Sequence, residues 1–583
     1  MRWSSALLLL LALLARPVLA SHLLGGDLTY RYIDNLGPAA APLRYELTLT
    51  VYNNCNASAI SPATDAEIGI YERSTGAHIV MTTVNYYNIY SYTNNILIPT
   101  QPLPACYQPP VIPGCTTSAV TQPYITQKFV ALVNLPNTTA GFYAVYYQGS
   151  RTSDIINLAN PGGENMELYT TMTPPSIFNR SPVFTNSAIT VLCSSDTTAY
   201  LSNALDADGD ELEYSFGQPY GGSLPTTFTL PLPTVVYATT NAYSPTTPFG
   251  TGRGIVNHLN TSTGVATFAT PTIGKYSVAI DVKEYRTIGG VRTLIGTTRR
   301  DVQIVVTSCP PNAAPVLPPP VATSGSTVVL PRSYTIEAGT SQTIPISATQ
   351  RNNNLLNMTV NSALLDGPGG YNATLNGNAG TVSGATQTGT ATATGTGSVL
   401  GTFVYAAGCN DARTIPYDIA VTVEDKGCAG KTVYDVFHIT VVKPQGPTAI
   451  TGDAVICGAT TSTYTASGGT TPGFTWSVTG GTIVGSSTAN PVQVQWTTAG
   501  TGTLTLRGVS QGGCLTDPVT KNVTISTAPT LAVAGTQTIC QGSSTTITAS
   551  GAAAGATYTV TGGPVSGTGP TFVLAPTTTT TYT

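Results

Sequence analysis

The chain has 583 residues, of which only 9% are charged, and 23 basic residues against 27 acidic ones give a net charge of −4. An average soluble protein carries about 25% charged residues, so uncharged side chains dominate this sequence. The basic residues form no cluster, which argues against a nucleic-acid partner, because contacts with backbone phosphates need concentrated Lys and Arg. The length allows about three to five domains.

The N-terminal residues predict an export signal. Arg2 gives a positively charged start, residues 7–14 are apolar, and residues 18–20 are suited to cleavage. The apolar run is too short to span a bilayer, and no later stretch reaches about 18 apolar residues. The sequence therefore predicts a signal peptide over 1–20 and no transmembrane segment after it.

Strand signals dominate the rest of the chain. Residues 28–32, 45–51, 274–280 and 301–306 alternate between apolar and polar side chains, and clusters of Gly, Asn, Asp and Pro separate such runs. Short strands at close spacing are typical of β-sandwiches. We therefore predict an all-β protein built as a tandem array of β-sandwich domains.

Proline-rich stretches indicate where the array divides. Residues 310–320 form a Pro-rich linker, and further boundaries are expected at 443–447 and 526–529. The predicted domains cover the ranges 21–190, 191–309, 320–443, 446–527 and 528–583.

The last two predicted domains share an internal repeat, in which residues 450–457 correspond to 533–540. Cys457 and Cys514 are 57 positions apart (514 − 457), so an equivalent partner for Cys540 would fall near position 597 (540 + 57). We therefore expect 528–583 to be an incomplete domain, poorly folded alone, and the chain to be part of a longer protein.

Ten cysteines in an exported chain permit disulfides, and no C-x-x-C spacing suggests zinc. Reduced, buried thiols are the less favoured alternative. The predicted pairs are Cys106–Cys115, Cys193–Cys309, Cys409–Cys428 and Cys457–Cys514. Cys55 and Cys540 stay unassigned, since sequence alone does not prove connectivity.

Several ordered motifs resemble a family of large Bacteroidetes surface proteins that often end in a gliding-motility-associated, type IX secretion sorting domain. The matching segments are SHLLGGDLTY (21–30), YELTLTVYNNC (45–55), YAVYYQ (143–148), INLANPG (156–162), KEYR (283–286) and TRRDVQI (298–304). The family tends to carry a Cys-Cys pair where this chain has Gly149 and Ser150, and cysteines near Phe216 and Asp281. The family's disulfides are therefore not transferred as a set.

Three further segments are assigned to known domain types. Residues 193–307 look like a cadherin-like, immunoglobulin-type domain through the motifs at 206–214 and 259–264, and 320–443 is taken as a second such domain. Residues 446–527 resemble a PKD-like domain, with Trp476 and Trp496 expected in its core. The resemblances imply a tandem array of Ig-like, cadherin-like and PKD-like β-sandwiches.

Carboxylates are concentrated at one place in the sequence, formed by Asp206, Asp208, Asp210 and Glu211. Such a cluster around a glycine turn can converge on Ca²⁺, which takes about six to eight oxygen ligands. The pattern is not an EF-hand, because Glu211 stands where that loop needs glycine and Gly217 where it needs glutamate. An acidic turn whose Asp side chains hydrogen-bond their own backbone is an equally weighted alternative.

Cadherin-like domains usually complete such a site from another strand or from the next domain. The resemblance therefore makes Asp281 and Glu284 the candidate additional ligands. The next domain has Glu424 and Asp425, but residues 350–352 read Gln-Arg-Asn in place of an Asp-x-Asp turn. The sequence does not predict a second calcium site there.

The sequence contains few motifs that are typical of catalytic sites. His22, His78, His258 and His438 lie in separate contexts, and none belongs to an H-E-x-x-H motif. Residues 508–512 match G-x-S-x-G, but no histidine follows and a Gly-rich turn takes the place of the helix. We predict no catalytic residues and no enzyme.

Together the motifs and the family resemblance imply a secreted or cell-surface protein. The expected role is adhesion to, or interaction with, polysaccharide or another cell surface, with Ca²⁺ as the one cofactor suggested. The alternatives are a structural stalk or matrix component, and the non-catalytic portion of an exported polysaccharide hydrolase.

Overall fold

A computed structural model describes the chain over residues 23–55, 63–86, 88–91, 96–99, 106, 123–149, 151–310, 312–319, 321–324, 326–329, 331–367, 369–382, 388–428, 430–526, 530–535, 538–552 and 555–583. The predicted signal peptide and Cys115 lie outside these residues. The described chain is built of β-strands with one short 3-10 helix, Pro161–Gly163, which confirms the all-β fold class. It divides into two compact units, one ending at Val442 and one beginning at Lys443.

The first unit opens with strands rich in Leu, Val, Tyr and Thr, the residues that fit a pleated, half-buried surface. These strands are β1 (Leu23–Asp34), β2 (Leu43–Asn54), β3 (Asp65–Glu72), β4 (His78–Asn85), β5 (Asn88–Ser91), β6 (Ile96–Pro99), β7 (Tyr124–Leu135), β8 (Phe142–Gln148) and β9 (Met166–Met172). The next strands are β10 (Val183–Phe184), β11 (Ile189–Cys193), β12 (Thr198–Leu201), β13 (Ala204–Leu205), β14 (Glu211–Gly217), β15 (Val256–Leu259), β16 (Val265–Ala269), β17 (Gly274–Ile288) and β18 (Val291–Thr307).

One large sheet joins both groups of strands. Its main order is β4-β3-β8-β9-β18-β1-β2-β7, and β11 and β17 also pair with β18. The contact with the N-terminal strands is made at Thr298, opposite Thr170 of β9, and at Asp301, opposite Gly26 of β1. The sheet therefore crosses residue 190, and the predicted boundary between 21–190 and 191–309 is not a structural boundary.

Three consecutive charged residues hold β18 in the interior of this unit. Arg299 Nε lies 2.7 Å from Asp281 Oδ1 of β17, and Arg300 Nε lies 3.5 Å from Asp27 Oδ2 of β1. Asp301 Oδ2 accepts a hydrogen bond of 2.7 Å from Arg151 Nη2. The three side chains of β18 are at least 97% buried. A buried charge is stable only when it is paired, so these contacts fix the strand's position.

The first unit continues with a smaller sandwich. A separate two-stranded sheet of β19 (Val321–Ser324) and β20 (Ser326–Val329) precedes it in the chain. The strands of the sandwich are β21 (Ser333–Glu337), β22 (Ser341–Thr349), β23 (Leu355–Ser362), β24 (Thr374–Leu375), β25 (Thr381–Val382), β26 (Gly389–Thr396), β27 (Ser398–Ala406), β28 (Tyr417–Asp425) and β29 (Thr432–Val442). One sheet runs β21-β29-β28-β23-β26-β25 and the other β22-β27-β24. Met358 and Phe403 are fully buried between them.

We call β11–β18 the first module and β21–β29 the second module. Their connections correspond: the opening strand pairs in parallel with the closing strand, as β11 with β18 and β21 with β29. The modules pack side by side through a small cluster of Leu201, Ala420 and Val436. A salt bridge between Lys431 and Asp196 also joins the two modules.

The second unit begins with β30 (Ala449–Thr451), β31 (Val455–Cys457), β32 (Thr461–Ser467), β33 (Gly473–Thr479), β34 (Gly481–Val484), β35 (Val492–Trp496), β36 (Gly500–Val509) and β37 (Val519–Ser526). Two four-stranded sheets, β30-β32-β35-β34 and β31-β37-β36-β33, face each other. Trp496 and Trp476 are buried between them, which confirms their predicted place in the core.

The remaining strands of the second unit are β38 (Ala532–Gly535), β39 (Thr545–Ser550), β40 (Val565–Ser566) and β41 (Thr571–Leu574), which form a sheet in the order β38-β39-β41-β40. That residues 528–583 are poorly folded alone stays a prediction.

Two disulfides are defined in the first unit. Cys193 and Cys309 are joined as predicted, with their Cα atoms 5.4 Å apart. Cys106 is joined to Cys55, so the predicted Cys106–Cys115 pair is wrong. Cys55 follows β2 directly, beside Pro123 at the start of β7, and this long-range strand pairing gave no local signal in the sequence.

The other cysteines differ from expectation in part. Cys457 is an exposed free thiol at the end of β31, whereas Cys514 is buried and disulfide-bonded, so the predicted Cys457–Cys514 pair is wrong. Only the middle residue of β31 faces the core, and Cys457 points outward. Cys409 and Cys428 are both disulfide-bonded, and their pairing with each other stays a prediction.

Replacing Cys193 and Cys309 together by serine should lower the free energy of unfolding of the first unit by about 2–5 kcal/mol, because the bond closes a loop with a sequence separation of 116 residues. Calorimetry of the oxidised chain measures the change. Cys457→Ser is the matched control, since that thiol is free, and it should leave the melting temperature unchanged. Finding Cys193 and Cys309 as free thiols in non-reducing peptide maps of the native chain would contradict the expectation.

Candidate functional site

The acidic cluster forms a tight turn between β13 and β14. Asp206 Oδ1 accepts hydrogen bonds from the backbone N–H groups of Asp208, at 2.9 Å, and Asp210, at 2.8 Å. Gly209 has a positive φ of 79°, a conformation that L side chains rarely adopt. One carboxylate oxygen of Asp206 is therefore used to shape the turn, as the acidic-turn alternative expected.

The turn brings three carboxylates together. Each of the three contributes one carboxylate oxygen, and these oxygens lie within 4.8 Å of one another; the residues are Asp206, Asp210 and Glu284. Glu284 is contributed by β17, where it is paired with Leu212 of β14 directly after the turn. We call these three residues the acidic triad.

Two oxygens of the acidic triad have no hydrogen-bond partner within the described residues. They are Asp206 Oδ2 and Glu284 Oε2, and both are buried. The other oxygen of Glu284 accepts a hydrogen bond of 2.8 Å from Asn179 Nδ2. Glu284 is fully buried and Asp206 is 9% exposed, so water does not compensate these oxygens as it would at the surface.

The electrostatics of the acidic triad are unfavourable for three charged carboxylates. Burial, followed by the neighbouring charge of Asp210, raises the pKa of Asp206 to about 7. Burial, followed by the charge of Asp206, holds the pKa of Glu284 well above its usual range. A bound proton or a bound cation would relieve this repulsion.

Arginines engage several of the predicted ligands. Asp210 receives two hydrogen bonds of 2.6 Å from Arg286, and Asp208 receives bonds from the Nε and Nη2 atoms of Arg180 at 3.0 and 2.8 Å. The acidic triad thus has three carboxylates and one directly bonded guanidinium. Two of its negative charges are left without a hydrogen-bonded cation among the described residues.

Two other predicted ligands lie apart from the acidic triad. Glu211 points to the surface, where it pairs with Arg292 at 2.9 Å. Asp281 pairs with Arg299 instead. Successive side chains of a strand alternate between faces, so Asp281, three positions from Glu284, lies on the opposite face of β17. Of the six predicted ligands, the structure brings together Asp206, Asp210 and Glu284.

Sequence reasoning missed the polar residues around the acidic triad. Asn179 donates to Glu284, and Arg286 also donates to the Asn179 Oδ1 atom at 2.9 Å. The KEYR motif contains both Glu284 and Arg286 and could have suggested a shared role. Asn179 had no such signal, because it lies in an irregular segment after β9.

A cleft of about 370 Å³ lies beside the acidic triad, between the two modules. Arg413 of the second module lines it near Gly209 and lies over the ring of Tyr417. His438 lines it as well, with its Nδ1 atom 2.8 Å from Asp418 Oδ1. His438 and Asp418 are directly opposite each other on β29 and β28, so their contact is a cross-strand pair within the sheet.

Within the described part of the chain, no helix has the length and apolar character needed to cross a bilayer.

No protein-family model matches the chain, and no curated protein matches its sequence. Comparison with solved structures finds partial matches. A Ca²⁺-stabilised, ice-binding adhesin of an Antarctic bacterium is 14% identical over 87% of this chain and 100% of its own, with a TM-score of 0.20. The four N-terminal Ig domains of Dscam1 are 9% identical over 80% and 100%, with a TM-score of 0.22.

Protocadherin Gamma B2 cadherin domains 1–5 are 10% identical over 69% of each chain, with a TM-score of 0.16. TM-scores of this size do not show a common arrangement of domains.

A further buried carboxylate lies outside the acidic triad. Glu167 of β9 is fully buried, and neither of its carboxylate oxygens has a partner among the described residues. Burial, offset in part by the Arg299 guanidinium, raises the pKa of Glu167 to about 7. The folded state therefore holds the proton of Glu167 more tightly than the unfolded chain does.

Glu167→Gln should remove a pH dependence of stability. A raised pKa in the folded state means that wild-type stability falls as pH rises from about 4.5 to about 7. Relative to wild type, Glu167→Gln should gain about 1–3 kcal/mol between about pH 5 and about pH 8, since one pKa unit is worth about 1.4 kcal/mol. Calorimetry across this range tests it, with Glu67→Gln at an exposed position of β3 as control. Parallel profiles for wild type and Glu167→Gln would refute it.

Proposed function

We propose that the chain is an exported, non-catalytic surface protein whose first module is stabilised by Ca²⁺ at the acidic triad, and which acts in adhesion or interaction with polysaccharide or another cell surface. The observation that carries the calcium site is the pair of buried, unpartnered oxygens, Asp206 Oδ2 and Glu284 Oε2.

A buried carboxylate without a partner costs several kcal/mol, so a folded protein that keeps one must compensate it. The acidic triad holds two such oxygens, with two charges unmatched, and one oxygen from each of its three carboxylates lies within 4.8 Å of the others. This set fits a divalent, oxygen-seeking cation. Asp206, Asp210 and Glu284 would hold Ca²⁺, and water would complete the six to eight ligands it takes.

The placement of the acidic triad explains what the ion would do. Asp206 belongs to the turn before β14, and Glu284 belongs to β17, which pairs with β14. An ion bound by both side chains would tie the turn to the sheet. Its role is therefore structural, and the ion would stabilise the module without taking part in chemistry.

Export and surface location are supported by the N-terminal signal pattern and by the disulfides Cys55–Cys106 and Cys193–Cys309, which persist in oxidising compartments. Adhesion is supported by the modular all-β build, in which several sandwiches follow one another. Such a chain can present a binding surface at a distance from its point of attachment.

Ca²⁺ should raise the melting temperature of the full chain by several degrees relative to an EDTA-treated sample, because a ligand that binds only the folded state stabilises it by mass action. Asp206→Asn and Glu284→Gln should each abolish the rise. Glu211→Gln is the matched control, since Glu211 is paired with Arg292 outside the acidic triad, and it should keep the rise. Equal melting temperatures with Ca²⁺ and with EDTA, together with no heat of Ca²⁺ binding, would exclude the site.

The adhesion role is tested by applying the full chain to a glycan array and to intact cells, in Ca²⁺ and in EDTA. We expect saturable binding to a defined set of glycans or cells. Absence of any binding would favour a structural stalk or matrix component. Release of reducing sugar from a polysaccharide would favour the portion of an exported hydrolase.

A further inference from the structure

The second module repeats the turn of the acidic triad with amides. Gln350 Oε1 accepts hydrogen bonds from the backbone N–H groups of Asn352, at 2.6 Å, and Asn354, at 3.4 Å. Asp206 Oδ1 accepts the same two bonds from residues two and four positions further along the chain. The two turns therefore have one backbone design.

The strand that faces each turn corresponds as well. Leu212, six positions after Asp206, is paired with Glu284, and Leu356, six positions after Gln350, is paired with Asp425. Glu284 and Asp425 thus occupy the same place relative to the turn. Side-chain lengths are exchanged, since a short Asp206 faces a long Glu284 and a long Gln350 faces a short Asp425.

The side chains around Asp425 differ in chemistry from those around Glu284. Asp425 is buried, and its Oδ2 atom accepts hydrogen bonds from Gln350 Nε2 at 3.1 Å, Asn354 Nδ2 at 3.1 Å and Asn312 Nδ2 at 2.9 Å. Its Oδ1 atom accepts the backbone N–H of Gly427 at 2.7 Å. Three amide groups therefore surround one carboxylate, whereas in the first module three carboxylates face one another.

An asparagine ahead of each module completes the correspondence. Asn179 donates to Glu284 in the first module, and Asn312 donates to Asp425 in the second. We infer that the two modules carry one ligand scaffold in two forms, a cation-dependent form at Asp206 and a cation-independent form at Gln350. In the second form, amide N–H groups compensate the buried carboxylate, as Ca²⁺ does in the first form.

This inference rests on the proposed calcium site for its first half only. Its consequence is that removal of Ca²⁺ destabilises the turn of the first module and leaves the turn of the second module intact. A second consequence is that two isosteric changes, Gln350→Glu and Asn354→Asp, give the second module three carboxylates, as in the acidic triad.

The test is calorimetric titration of CaCl₂ into the full chain, wild type and the Gln350→Glu, Asn354→Asp double variant. We expect the double variant to bind one more ion than wild type. Asn378→Asp is the matched control, because Asn378 lies in an exposed turn where its side-chain oxygen already accepts the Gly380 N–H. The control should bind the same number of ions as wild type.

The outcomes separate the two proposals. If wild type binds one ion and the double variant binds no more, the scaffold inference is overturned and the calcium proposal stands. If wild type binds none and the double variant binds one, the calcium proposal falls together with the first half of the inference, and the shared ligand scaffold stands. If neither binds, both fall.

Hydrogen exchange of the wild-type chain covers the case in which the double variant does not fold. EDTA should lower the protection of residues 206–212 and 279–286 by about tenfold or more, through local opening. Residues 350–356 and 420–426 should keep their protection. Equal loss in both modules overturns the inference.

Discussion

Buried charge on β18 is the constraint on which the architecture of the first unit depends. Arg299, Arg300 and Asp301 point to three different strands or segments and find opposite charges at Asp281, Asp27 and Arg151. Removing one partner of a buried pair leaves a stranded charge at a cost of about 3–5 kcal/mol. The N-terminal strands and the first module therefore fold as one sheet.

The hairpin of β17 and β18 links that constraint to the acidic triad. Asp281 uses one face of β17 to hold Arg299, and Glu284 uses the other face to meet the turn at Asp206. The position of Glu284 thus depends on ion pairs of β17 and β18 that do not contact the acidic triad. The second module keeps the same strand register around Asp425, where three side-chain amides donate to the carboxylate.

Sequence patterns predicted local features well and long-range pairing poorly. Strand alternation and the acidic turn were accessible, because period and composition are local properties. Glu284 was suggested only by the resemblance to cadherin-like domains. The continuous sheet across residue 190 and the Cys55–Cys106 bond were not, since both depend on which distant strands meet. Asp281 failed for a simpler reason, as a spacing of three residues places it and Glu284 on opposite faces of one strand.

The bond between Cys193 and Cys309 has a mechanical consequence. Cys193 ends the first strand of the module, and Cys309 lies two residues beyond its last. Tension along the backbone that enters at Cys193 can leave through the sulfur atoms at Cys309, so residues 194–308 are bypassed. The acidic triad lies inside this closed loop. A load carried by the chain would therefore reach neighbouring segments without pulling Asp206 and Glu284 apart.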